Sequence, residues 1–134
     1  MLIQEKHDLS LSDFMKSLVS LMDERRWKLP LKNEKPWHVL FYELKKANLG
    51  ARKPKFLNEL RFDWDGPYPK SQDVSDFLHA LHWNASVSAA NPQFTTISLS
   101  PEVAELWKKL HSELDSEARS MVDNAMPYAE KQFA

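Results

Sequence analysis

Cysteine is absent from this 134-residue chain. Disulfides, thiolate metal sites and cysteine nucleophiles are therefore excluded. Glycine is nearly as scarce, with only Gly50 and Gly66. Glycine-rich phosphate loops, and barrels that turn their corners on glycine, are disfavoured for want of backbone freedom. No apolar run approaches the roughly 20 residues that a membrane helix needs. Residues 1–6 lead into polar positions, not into the apolar stretch of a signal peptide. The expectation is a cytoplasmic protein. Charge of one sign is also lacking, since the net value is −1. That balance hides an asymmetry. Residues 1–61 carry thirteen Lys/Arg against eight Asp/Glu, a surplus of +5, and residues 62–134 carry five against eleven, or −6. Such halves either lie against each other or present two faces.

What is present is an ordinary globular composition, 43% hydrophobic and 28% charged, with a generous five Trp and seven Phe. The length fits one domain with one core, and large aromatics suit such a core. Ser10 and Ser12 offer caps for a first helix over residues 12–26, with Leu11, Phe14, Leu18, Leu21 and Met22 at helical spacing. Pro30 and Pro36 bracket a linker, and Pro36 then opens a second helix whose stripe is Trp37, Leu40, Phe41 and Leu44. Residues 51–58 read as a basic loop or short helix. In residues 60–65, Leu60, Phe62 and Trp64 alternate with Arg61, Asp63 and Asp65, the period-2 pattern of a half-buried strand. Gly66-Pro67 and Pro69 end it, and Ser71 is placed to cap a third helix over 71–83 with Val74, Phe77, Leu78 and Leu81 inward.

Val87 and residues 94–99 read as two strands joined by a turn at Asn91-Pro92. Ser100-Pro101-Glu102 opens a last helix, with Val103, Leu106, Trp107, Leu110 and Leu114 periodic and a weaker pattern continuing to Pro127. The expected fold is mainly α with a small antiparallel β-sheet. Its core, residues 36–107, is winged-helix-like; residues 1–35 add an N-terminal helix and linker, and 108–134 a C-terminal helical extension. In that arrangement strand 60–64 pairs with 94–99, residues 71–83 take the recognition-helix position, and 85–99 form the wing.

The turn Asp65-Gly-Pro-Tyr-Pro-Lys-Ser71, the helix ending in Leu78-His-Ala-Leu81, the stripe of 37–44 and Ile97-Ser-Leu-Ser-Pro101 together resemble two groups of small prokaryotic proteins. One is the YwgA-type group, and the other is the phage-associated GepA/SocA-like group with the Panacea antitoxin domain. The resemblance spans residues 36–107. It implies a winged-helix-like fold and a protein-binding or regulatory role, and it transfers no catalytic residue.

Four sets of residues invite chemistry. Asp76, His79 and His82 lie at i, i+3 and i+6, where a divalent ion finds imidazole and carboxylate ligands. Without further ligands, the solvated face of an amphipathic helix explains them as well. Asp63 and Asp65 form a carboxylate pair suited to magnesium or acid–base work, although solubility and edge protection account for both. Lys45, Lys46, Arg52, Lys53, Lys55 and Arg61 form a basic stretch of the kind that attracts phosphate or an acidic protein, although a solvated loop accounts for it. Finally, the outward residues of the third helix, Gln72, Asp73, Ser75, Asp76, His79 and His82, put two carboxylates where a major-groove reader needs cations. Sequence-specific DNA binding there is not expected.

No dinucleotide, P-loop, zinc-protease or nucleophile-elbow pattern occurs. Trp27 and Trp83 lie at helix ends, and Trp83 joins the basic residues as a candidate partner anchor. The expectation is a non-enzymatic protein, without cofactor, that acts through protein contacts in the manner of an antitoxin, adaptor or phage regulator. A monomer is favoured over a homodimer. Two alternatives remain: a nucleic-acid-binding regulator using residues 45–61 with weak non-specific affinity, and a metal-dependent enzyme using Asp63/Asp65 or His79/His82.

Overall fold

A computed structural model describes residues 9–30, 33–47, 53–82, 97 and 99–134. Ser10 starts helix α1, Leu11–Glu24, by accepting a hydrogen bond from Asp13 N–H on its Oγ at 3.1 Å. Phe14, Met15, Leu18, Val19 and Met22 are all buried, as are Ser17 and Ser20. That arc is wider than one stripe, so α1 is embedded among its neighbours, not laid on a surface. Its end is a left-handed turn. Arg26 N–H bonds Asp23 O at 2.9 Å, and Trp27 N–H reaches back to Met22 O at 3.3 Å, with Arg26 at φ 58°. A glycine is the usual occupant of that backbone position. Arg26→Gly is therefore expected to raise stability by up to about 1 kcal/mol, since relieved strain exceeds the added chain entropy. A thermal melt checks this.

Helix α2, Lys35–Lys46, buries Trp37, His38, Leu40, Phe41 and Leu44. Pro36 sits in its first turn, where a missing N–H costs nothing. A short α3, Lys55–Glu59, buries Leu57 and sets Phe56 against Phe14, ring centroids 5.5 Å apart. Helix α4, Gln72–His82, packs on α2. Ser100 and Pro101 open α5, Pro101–Glu113, as the sequence implies, with the Ser100 hydroxyl accepting from Val103 N–H. Helix α6, Ser116–Phe133, completes the order. α5 lies along α1, while α6 packs on α2 and also reaches α1.

Three expectations are corrected. First, the described residues contain no strand or sheet, so the winged-helix-like arrangement is not what the chain forms. Residues 60–64 are an extended connection with a single antiparallel pairing, Asp63 with Lys70 (N–H to O, 2.9 and 3.0 Å), which closes a loop on itself. Alternation therefore recorded a gradient out of the core: Leu60 is 2% exposed, Phe62 half-buried and Trp64 60% exposed. The pairing proposed with residues 94–99 is replaced where it can be seen. Ile97 N–H donates to Leu29 O at 2.8 Å, in the α1–α2 connection. The remainder of the expected hairpin lies outside the described residues.

Second, the last helix is two. Leu114 turns extended at ψ 149°, and Asp115 restarts the helix by accepting from Ala118 N–H at 2.8 Å. Third, Pro127 does not stop α6. It faces solvent, as does Asp123 one turn earlier, so the carbonyl that proline leaves without an N–H lies on the wet side of the helix, where water can meet it.

Candidate interaction surface

The inner stripe of α2 leaves a second stripe, Val39, Tyr42, Glu43 and Lys46, on its outer side at the spacing that keeps residues on one face. The Asp63–Lys70 loop brings Trp64 and Pro69 beside it, and α6 contributes Tyr128. With Ala47 these residues line an open groove of about 470 Å³. Trp64 meets Tyr42 nearly at a right angle, 84°, with centroids 5.4 Å apart. Phe62 meets Tyr42 from another side at 5.3 Å and 72°. Edge-to-face pairs of this kind fix ring orientation without consuming the outer faces. Lys46 Nζ lies 5.0 Å from the Tyr42 centroid, and Lys131 Nζ 5.5 Å from that of Tyr128. The groove thus combines aromatic rings, apolar side chains and both charge signs in its lining.

Two partly buried polar networks lie elsewhere. At the start of α2, Glu34 Oε1 accepts from Ser75 Oγ–H at 2.7 Å and from His38 Nε2–H at 3.0 Å. His38 Nδ1 accepts from Ser71 N–H at 3.0 Å, which assigns the tautomer, because an acceptor nitrogen carries no proton. His79 Nε2 stands 3.4 Å from Glu34 Oε2. Burial pushes the His38 imidazole below its ordinary value, with Lys70 adding to the effect and Glu34 opposing it. Burial alone would raise the Glu34 carboxyl. Hydrogen bonds from Ser75 and His38, with the charges of His38 and His79, outweigh it and hold that carboxyl below the usual range.

In the second network, Ser17 Oγ lies 2.7 Å from His111 Nδ1, and His111 Nε2 lies 3.4 Å from Asp123 Oδ1. A serine, a histidine and an aspartate in series suggest nucleophilic catalysis. The arrangement does not support it, because Ser17 is 0% exposed in the middle of α1, closed to an incoming carbonyl. What the network does is tie α1, α5 and α6 together.

The sequence-predicted residues fall as follows. Asp76 Oδ1 accepts from Gln72 Nε2 at 2.8 Å, His79 turns to Glu34, and the His82 side chain lies outside the described residues. Among the described residues no group of three His, Asp or Glu is placed to hold a metal ion. Asp63 and Asp65 are both exposed on the loop. Lys45 Nζ donates to Leu60 O and Lys53 Nζ to Lys45 O, so these two ammonium groups brace the α2–α3 corner. Lys46 covers Tyr42, Lys55 is exposed and has an interaction of its own, and Arg61 is exposed. Arg52 and Trp83 lie outside the described residues.

Two further corrections concern α4. Ser75, expected to face outward, is 4% exposed and bonded to Glu34. Ser71 precedes the helix as expected, yet its buried hydroxyl has no partner among the described residues, and its backbone N–H makes the bond to His38 instead.

Sequence reasoning missed the groove and the Glu34–His38 network. The second stripe of α2 was present at i, i+3, i+4 and i+7 and would have marked one wall. Comparison with protein-family models, curated proteins and solved structures gives no match. Among the described residues, no helix is long and apolar enough to cross a membrane.

Proposed function

We propose that this protein acts in the cytoplasm through protein–protein contacts, without catalysis, and that the groove on α2 is its contact surface. The observation that carries the proposal is Trp64, a tryptophan 60% exposed and held edge-on to Tyr42 above an open cleft. Exposed Trp and Tyr held in fixed orientation are the side chains that most often anchor an interface. An antitoxin, adaptor or phage regulator, the roles implied by the resemblance of residues 36–107 to small phage-associated proteins, works in this way.

The occupant we propose is an extended, proline-containing segment of the partner that also carries a basic residue. Flat rings meeting at 84° leave slots for the ridges of a polyproline-type helix, whose low chain entropy favours docking on aromatics. Glu43, on the groove wall, supplies the carboxylate for the basic side chain. The engagement of Lys45 and Lys53 by backbone carbonyls weighs against a phosphate track along residues 45–61.

Titration of the labelled protein with proline-rich peptides, with and without a basic residue, tests this. The indole N–H resonance of Trp64 is expected to shift at micromolar peptide. Trp64→Ala is expected to weaken binding at least tenfold while leaving the melting temperature nearly unchanged, because so exposed a ring stabilises the fold little. The reading is overturned if no such peptide moves the Trp64 signal, or if binding survives the substitution. Stronger, salt-sensitive binding of bulk DNA at Arg61 and Lys55 would favour the nucleic-acid reading instead.

A further inference from the structure

The cluster of Glu34, His38, Ser71, Ser75 and His79 joins the start of α2 to the start of α4. Its centre, His38, is 0% exposed, and Ser71 beside it is equally buried. We infer that the cluster is a proton-operated clasp, in which a second proton on His38 releases the first turn of α4 from α2.

Neutral His38 is the right shape for its surroundings. Nε2–H donates a hydrogen bond to Glu34 Oε1, and Nδ1 accepts one from the Ser71 N–H. A proton added at Nδ1 sets one N–H against another. The Ser71 amide then has no acceptor in a site that excludes water, where an unmet backbone donor is costly. Ser71 directly precedes α4 and its carbonyl accepts the helix's first bond from Ser75 N–H, so loss of the amide bond acts on that turn. Ser75 Oγ, bound to Glu34 beside it, is the second tie.

The groups that face His38 set the direction. Glu34 attracts the second proton, Lys70 repels it, and the Tyr68 ring covers the imidazole at 5.9 Å. His79 acts through Glu34, from the exposed face of α4. Burial prevails over Glu34, so the folded protein binds this proton less readily than the unfolded chain does. The clasp's contribution is therefore complete above the ordinary imidazole value of about 6.5. It is lost as the pH falls below that value. The Glu34 carboxyl lies below its usual range, so it remains an anion in that interval. Acid thus acts on His38 first.

The Asp63–Lys70 loop, which carries Trp64 and Pro69, ends next to Ser71, so release also loosens one wall of the groove. The clasp stands whether or not the groove binds a partner, and its test involves no partner.

The experiment is nitrogen-detected NMR of the His38 ring in the full chain, with amide exchange measured at pH 7.5 and 5.5 and referred to intrinsic rates. At pH 7.5 the Nε2–H tautomer is expected. Protection of the Ser71, Val74 and Ser75 amides is expected to fall several-fold by pH 5.5, toward the roughly tenfold limit set by one imidazole of ordinary affinity in the released state, while Leu18 and Val122 change little. Glu34→Gln retains an oxygen acceptor but removes the charge, and is expected to move the transition to lower pH. The clasp is overturned if Ser71 protection does not depend on pH, if all helices lose protection together, or if His38 holds the opposite tautomer. A folded Glu34→Gln protein with an unmoved transition also overturns it. The wild-type measurement decides the matter even if that variant does not fold.

Discussion

A chain ending at Leu114 is expected to lose cooperative folding altogether. Helix α6 places Met121, Val122, Ala125, Met126, Ala129 and Phe133 along one buried stripe against α2 and α1. Fully burying each of the four large members contributes roughly 1.5–3 kcal/mol. Their sum is comparable to the whole stability of a small domain, about 5–15 kcal/mol. Removing α6 also uncovers the Trp37 ring, whose centroid is 4.4 Å from that of Phe133, and leaves His111 without Asp123. Circular dichroism on heating, with light scattering on the full chain and on the truncated one, checks this. A truncated chain that remains a well-folded monomer contradicts the packing. A full-length dimer that becomes a folded monomer shows that α6 serves self-association.

Trp37→Ala is the single substitution expected to cost most, at about 3–5 kcal/mol. The ring is 0% exposed, lies against Phe133, and its Nε1–H donates to the Pro30 carbonyl. The change opens a cavity between α2 and α6 and frees the connection that leads from α1. Trp37→Phe keeps most of the volume and loses the hydrogen bond with a small part of the packing, so it should cost less, about 1–2 kcal/mol. Urea denaturation of the three proteins gives both numbers. A loss below about 1 kcal/mol for the alanine variant would place Trp37 outside the core.

The two predictions share a cause that the sequence showed only in part. Trp37, Leu40, Phe41 and Leu44 were legible as an inward stripe, as were the helices opened by Ser10 and Ser100, because caps and helical periodicity are local properties of the chain. The break at Asp115 was equally local, and its signal was an aspartate placed to cap a new helix. It is easily overlooked where apolar spacing continues on both sides.

The failure at residues 60–65 has a different origin. Alternation says that successive side chains see different surroundings, but it does not supply the strand that must pair with them. Here the described chain offers no such strand. Leu60 is anchored in the helical core, and Trp64, four residues on, stands in solvent.

The candidate surface was hidden for a similar reason. Val39, Tyr42 and Lys46 share a face by helical geometry, but Trp64, Pro69 and Tyr128 are distant in sequence, and nothing local indicates that they meet. The same holds for Glu34, His38 and Ser75, which are joined across 41 residues by a hydrogen bond to one carboxylate oxygen.

The sequence by itself determined that this is a cysteine-free chain, without a long apolar run, whose caps and stripes make helices. The tertiary structure decided that, among the described residues, those helices cover one another without a sheet, that α6 closes the core, and that Trp64, on the apolar face of the expected strand, is left outside. Helix starts and buried stripes are written within a few turns of backbone. Long-range contact depends on which of several compatible apolar faces buries the most surface together, and that choice is made only by the whole chain.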